Sequence, residues 1–279
     1  MELLVTTEWL AAELGKTDIR VIDATMFLAD HGRNARAEFE AAHIPGAVFF
    51  DIDEVSDASS PLPHMLPAAE KFASRMQALG LGDGSRIVVY DNSPLRSAAR
   101  VWWMLMLFGA HEVAILDGGF AKWQSEGRSV ESGKPIVRHR HFTVWADKSL
   151  VRDVKQITDN LRGKTEQLVD ARSAGRFAGT EPEARAGLRG GHIPGSKNLP
   201  FDTLFNDDGT YKARDAIKSA FDAAGIDLSK PTVATCGSGV TSGVLAFAAA
   251  LIGNPKVAIY DGSWSEWGAN AHNPVVTGA

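Results

Sequence analysis

Among the 279 residues there is one thiol. Cys236 lies in Thr235-Cys-Gly-Ser-Gly-Val-Thr-Ser-Gly243, between the apolar runs Pro231–Thr235 and Val244–Ile252. The pattern predicts a buried strand, a six-residue loop from Cys236 to Thr241, and a helix. Gly237 and Gly239 give the loop backbone angles that other residues avoid, so successive N–H groups can converge on one point. The start of the helix adds the positive end of its dipole. Such a loop suits an anion, and the thiolate is the reactive form of cysteine. The competing reading, a small buried apolar side chain, leaves the Gly-x-Gly flank unexplained.

Three chemistries fit a thiolate in an anion-cradling loop. A phosphotyrosine-type phosphatase needs Cys-x5-Arg, and the sixth residue after Cys236 is Ser242. A cysteine protease needs a histidine base and a group to orient it. No histidine is near in sequence, and a tight loop leaves little room for a peptide. Sulfur transfer remains. There the thiolate takes a sulfur atom, and the resulting persulfide is itself an anion that amides can hold.

The elements that must position this loop occur twice. Val21-Ile-Asp-Ala24 returns as Leu168-Val-Asp-Ala-Arg172, and Ala42–Asp51 (AHIPGAVFFD) as Gly191–Asp202 (GHIPGSKNLPFD). His111–Trp123 (HEVAILDGGFAKW) returns as Pro255–Trp267 (PKVAIYDGSWSEW). The offsets, 147 for Asp23/Asp170, 149 for His43/His192 and 144 for Trp123/Trp267, are nearly constant. A unit of about 130 residues has been duplicated in tandem. Short apolar strands alternating with helices predict an α/β fold, each half a small parallel sheet covered by helices on both faces. The expected domains are 1–133 and 151–279, with a basic, Pro/Gly-containing linker at 134–150.

The two halves control one another. Aligning Ile87–Ala98 with Thr232–Gly243 sets Asp91 on Cys236. In open α/β sheets ligands bind at the carboxyl ends of strands, so both halves are expected to carry a pocket and only the second a thiol. His43 and His192 lie in identical His-Ile-Pro-Gly turns with and without a thiol, which assigns them to packing. Trp102, Trp103, Trp123, Trp264 and Trp267 are likewise expected in the core.

With these motifs the chain resembles the two-domain rhodanese-like sulfurtransferases, and within them the branch that takes sulfur from 3-mercaptopyruvate. The resemblance covers nearly the whole sequence. It rests on Cys236–Ser242 (CGSGVTS), both His-Ile-Pro-Gly turns, Ser60–Pro67 (SPLPHMLP), Gly175–Arg185 (GRFAGTEPEAR) and Tyr260–Trp267 (YDGSWSEW). Thiosulfate-using members carry Arg-Lys after the cysteine, and this chain carries Gly237-Ser238. A dianion such as thiosulfate is helped by cations, whereas a loop of dipoles alone suits a keto acid gripped elsewhere. The second half has fourteen residues between Phe177 and His192 where the first has three between Phe39 and His43. That insertion contains Arg185, with Arg176 just before it, and a guanidinium binds carboxylate bidentately. The resemblance implies that Arg176 and Arg185 hold the substrate's carboxylate and keto oxygen; the alternative for them is an ion pair with Glu181 or Glu183. It further implies that Asp53 and His64 reach Ser238 and move a proton with it, while Gly237, Gly239, Val240 and Thr241 present amides to the transferred sulfur.

The expected activity is therefore a 3-mercaptopyruvate sulfurtransferase passing sulfur to a thiol, such as thioredoxin, or to cyanide. The alternatives are a thiosulfate:cyanide sulfurtransferase and a non-enzymatic rhodanese module. No dinucleotide fingerprint or metal-spaced His/Cys cluster is present, so no cofactor and no metal are expected. A net charge of −5 without a basic stripe argues against nucleic acid. The longest apolar run of the first half, Val101–Phe108, is too short to span a bilayer. A single cysteine and the lack of a secretory-type start predict a cytoplasmic protein.

Overall fold

The computed structural model describes residues 1–278. Among these residues ten strands form: β1 (Leu4–Val5), β2 (Ile19–Asp23), β3 (Ala47–Phe49), β4 (Arg86–Tyr90), β5 (Val113–Leu116), β6 (Val151–Arg152), β7 (Gln167–Asp170), β8 (Lys197–Asn198), β9 (Thr232–Thr235) and β10 (Ala258–Tyr260). They make two five-stranded sheets in the orders β1-β5-β4-β2-β3 and β6-β10-β9-β7-β8. All ladders are parallel. Each sheet has the same order when its strands are counted along its own half, as a tandem duplication requires. The protein is α/β, with one five-stranded parallel sheet in each half.

The central strands β4 and β9 are apolar runs because helices cover both faces, so alternation has no role in them. Every residue of β9 is buried. In each half a largely apolar helix follows the central strand, Ala98–Leu107 in the first, with Arg100 as its one charged residue, and Ser242–Leu251 in the second. All ten residues of Ser242–Leu251 are buried.

By its internal contacts the chain divides into two compact units, and neither is a continuous stretch. The first contains Met1–Ala58, Pro67–Asp147 and Phe205–Tyr211. The second contains Ser59–Leu66, Lys148–Leu204 and the chain from Lys212 on. In the first unit the stretch before Asp147 lies along the helices: His141 O accepts from Asp83 N–H at 2.9 Å, and the N–H of Asp147 donates to Leu107 O at 2.8 Å. Phe142 is buried there, edge-on to Phe72.

The repeated histidines pack alike. His43 Nδ1 is 2.7 Å from Phe39 O and its ring stacks on Phe39 at 4.1 Å. His192 Nδ1 is 2.9 Å from Phe177 O, its ring 3.7 Å above Phe177. The five tryptophans singled out in the sequence are all buried. No helix among the described residues is long and apolar enough to cross a membrane.

Candidate active site

Cys236 follows β9 directly, at the carboxyl end of the middle strand of the second sheet. Its side chain is 1% exposed, and Sγ lies 3.7 Å from the hydroxyl of Ser242, the first residue of the following helix. The thiol is thus at a helix start, where unpaired N–H groups concentrate positive potential. Gly239 takes φ +79°, the turn that lets the loop curl. The N–H groups of Gly237, Ser238, Val240 and Thr241 donate to no acceptor among the described residues.

The outer side of the loop is fastened by the segment after β10. The N–H of Cys236 donates to Ser263 Oγ at 3.3 Å, and Cys236 O accepts from the N–H of Trp264 at 2.9 Å. Gly237 O accepts from both the N–H and the hydroxyl of Ser265, at 2.8 and 2.7 Å. Apart from the Cys236 N–H, these bonds use carbonyls and leave the amides of Gly237, Ser238, Val240 and Thr241 unengaged. Ser263 is itself left-handed at φ +49°. Its counterpart in the first half is Gly119, at φ +58°, where the same backbone is inexpensive.

The first unit shows what this loop does with an anion. Asp91 stands in the place of Cys236, and its carboxylate accepts from the N–H of Ser93 at 3.0 Å and of Ala98 at 2.7 Å. The N–H of Phe120 donates to Asp91 O at 2.9 Å, matching Trp264 and Cys236. Burial pushes the Asp91 carboxyl up from its ordinary range, and these two amides act against that push. The cavity beside it is only about 20 Å³, lined by residues that include Arg96, Phe205 and Tyr211. That is room for about one water. The first loop is filled by its own side chain.

His64 belongs to the second unit. It is 6% exposed, and its Nδ1 lies 2.9 Å from Ser238 Oγ, two residues beyond the thiol. His64 takes φ +59°, a conformation rare for a residue with a side chain. Four non-glycine residues among those described have positive φ, and two of them, His64 and Ser263, touch this loop. Strain gathered at one place marks a functional site.

Arg176 also reaches the loop: a Cβ placed on Gly237 would lie 3.1 Å from its Nη2. Its guanidinium pairs with Glu183, Nη2 to Oε2 at 2.5 Å. Glu183 is buried and is held from its other side by Arg172, Nη1 to Oε1 at 2.6 Å. Arg172 grips Asp170 at 2.6 Å and lies 4.3 Å from the Trp264 ring centroid. The ion pair foreseen as an alternative for Arg176 is therefore present, and it fixes the guanidinium beside the thiol loop. Its side chain remains 26% exposed, so the group is accessible. Arg185 is half-buried in the inserted loop of the same unit. Asp53 lies in the first unit, exposed on the one-turn helix Ile52–Val55 that Asp51 caps.

The second unit thus gathers Cys236, Ser238, His64 and Arg176. Sequence reasoning named Glu183 only as an ion-pair partner, and missed Arg172, Ser263 and Asp261, whose Oδ2 accepts the N–H of Leu66 at 2.7 Å. Arg172 was detectable, because Asp170-Ala-Arg172 differs from Asp23-Ala-Thr25 at just this residue.

A thiol in an amide loop beside a fixed cation and a buried His–Ser pair defines a site for sulfur or acyl transfer. The family model described as "Rhodanese-like domain" matches residues 6–126 and 153–270. A rat protein named 3-mercaptopyruvate sulfurtransferase is 46% identical over 270 residues, covering 95% of this chain and 91% of its own. A bovine thiosulfate sulfurtransferase is 44% identical over 271 residues, with 95% and 91% covered. The crystal structure of SseA from Escherichia coli, described as a 3-mercaptopyruvate sulfotransferase, aligns with a TM-score of 0.86 at 39% identity. That alignment covers 95% of this chain and 99% of the other. The chain belongs to the rhodanese-like family, with two rhodanese-like domains in tandem.

Proposed function

We propose that the protein is a 3-mercaptopyruvate sulfurtransferase. The observation that carries the reading is the loop Cys236–Thr241: a thiol followed by the amides of Gly237, Ser238, Val240 and Thr241, which have no acceptor among the described residues, and no lysine or arginine within the loop. Arg176, held by Glu183, and Arg185 take the carboxylate and keto oxygen of the substrate. The Cys236 thiolate attacks the substrate sulfur, an S–S bond forms and the C–S bond breaks. The electron pair of that bond leaves on the three-carbon fragment as the pyruvate enolate. The proton of the substrate thiol moves to the enolate carbon, giving pyruvate and an anionic persulfide. Ser238 and His64 carry that proton. The amides of Gly237, Gly239, Val240 and Thr241 hold the outer sulfur. A thiol such as that of thioredoxin, or cyanide, then removes it and returns the thiolate. The reducing cytoplasm suits a catalytic thiol of this kind.

The second reading is a thiosulfate sulfurtransferase, favoured by the similarity to the bovine protein. Steady-state kcat/KM with the two donors separates them. A preference for 3-mercaptopyruvate of about tenfold or more, worth about 1.4 kcal/mol, is expected, and a preference for thiosulfate overturns the assignment.

A further inference from the structure

Asp261 has no part in the steps above, yet it is buried and close to them. We propose that Asp261 is a positioning residue that holds His64 on Ser238; this rests on the His64–Ser238 relay just described. Asp261 follows β10, and its Oδ2 accepts the N–H of Leu66 at 2.7 Å across 195 positions of sequence. Leu66 is two residues after His64, in Ser59–Leu66, the stretch of the first half that belongs to the second unit. This stretch contains neither helix nor strand, so a few contacts must fix it. His64 is also left-handed, a state that persists only where its surroundings enforce it. The bond from Leu66 to the buried carboxylate, one turn of chain from the imidazole, is such an enforcement.

The duplication supplies a control. At an offset of 144 or 145, Asp117 matches Asp261, Tyr211 matches Leu66 and Gly209 matches His64. Asp117 Oδ1 accepts the N–H of Tyr211 at 2.8 Å, and Tyr211 ends Phe205–Tyr211, the stretch of the second half that belongs to the first unit. Gly209 has φ +82°. Both units therefore use the same clasp: the aspartate after the last strand binds the amide two residues past a left-handed turn. In the first unit the turn is a glycine, where that conformation is natural. In the second it is a histidine, and the clasp aims an imidazole at the hydroxyl beside the thiol.

The test compares Asp261→Ala, Asp261→Asn, His64→Ala, the Asp261→Ala/His64→Ala double variant and Asp117→Ala in the full chain. Loss of Asp261 should lower kcat for 3-mercaptopyruvate about tenfold or more while KM stays within about threefold. Asp261→Asn, whose amide oxygen still accepts an N–H, should restore kcat to within about threefold of the parent. The double variant should be no slower than His64→Ala alone, as expected for groups acting in series. Asp117→Ala should lower the thermal midpoint about as much as Asp261→Ala and leave kcat unchanged. A parent-like kcat in Asp261→Ala, or losses that multiply in the double variant, overturns the proposal. Should His64→Ala itself keep full activity, the relay reading fails. Exchange of the Leu66 amide then still decides whether Asp261 fixes the segment: about 100-fold faster exchange in Asp261→Ala supports it, and unchanged protection overturns it.

Discussion

His64 Nδ1 and Ser238 Oγ lie 2.9 Å apart although 174 residues separate them in sequence. This buried imidazole, in contact with a hydroxyl two residues past the thiol, forms with it the acid–base pair of the proposed reaction. Removing either member should cost kcat rather than substrate affinity. His64→Ala and Ser238→Ala are each expected to lower kcat about 100-fold, at the low end for general acid–base groups. Initial rates of pyruvate release measure this. A rise in KM with kcat intact would instead assign the pair to binding.

Glu183 sits between Arg172 and Arg176 with 1% of its side chain exposed. Truncating Arg176 to alanine should raise KM for 3-mercaptopyruvate by about tenfold or more, since hydrogen bonds to charged groups contribute about 1.5–3 kcal/mol. Glu183→Gln releases the same guanidinium and leaves the buried Arg172 and the partly exposed Arg176 short of a carboxylate. It should raise KM less than Arg176→Ala but destabilise the fold by about 3 kcal/mol, as breaking a buried ionic group does. Urea titration reads the stability difference, and an unchanged midpoint would refute it.

Asp23 provides a pH dependence. Burial raises its carboxyl from 3.8 to about 6, with hydrogen bonds from Thr25 and Tyr90 opposing the rise. Below about pH 4 the group is neutral in both the folded and unfolded chain. Between pH 4 and 6 only the folded chain keeps the proton, so the stability associated with Asp23 falls as pH rises. Above pH 6 the loss is complete, at about 3 kcal/mol. The stability of the parent minus that of Asp23→Asn should therefore fall by about this amount from pH 4 to pH 7. A difference that does not vary with pH would contradict it.

Donor choice should follow loop charge. The Gly237→Arg variant places a cation beside Cys236, leaves Ser238 in place, and should shift the ratio of thiosulfate to 3-mercaptopyruvate kcat/KM upward by about tenfold or more. The new Cβ at position 237 comes within 3.1 Å of Arg176 Nη2, so that guanidinium must shift by a few tenths of an ångström on its Glu183 partner while the loop keeps its path. An unchanged ratio would show that loop cations do not set donor choice.

The thiol loop, the tandem α/β units and the packing histidines were legible in the sequence, because each is written in local residue types and then repeated. The internal repeat set Asp91 on Cys236, and the structure gives both the same strand end and the same backbone partner. What was not legible depends on distant chain meeting chain. Nothing local signals that the Leu66 amide reaches Asp261 or that Ser263 turns left-handed to accept the N–H of Cys236. Glu183 read equally well as a surface charge, and its burial follows from Arg172, whose side chain lies under the inserted loop. The clasps at Asp117 and Asp261 became visible only when the two units were compared residue by residue.

In the proposed reaction Cys236 accepts the sulfur of 3-mercaptopyruvate as a persulfide. Mass spectrometry of the protein after mixing with this donor, without an acceptor, tests it directly. One added sulfur atom on the peptide containing Cys236, with none on Cys236→Ser, is the predicted result. Pyruvate release without that added mass, or an unmodified Cys236 in protein that thiosulfate does load, would contradict it.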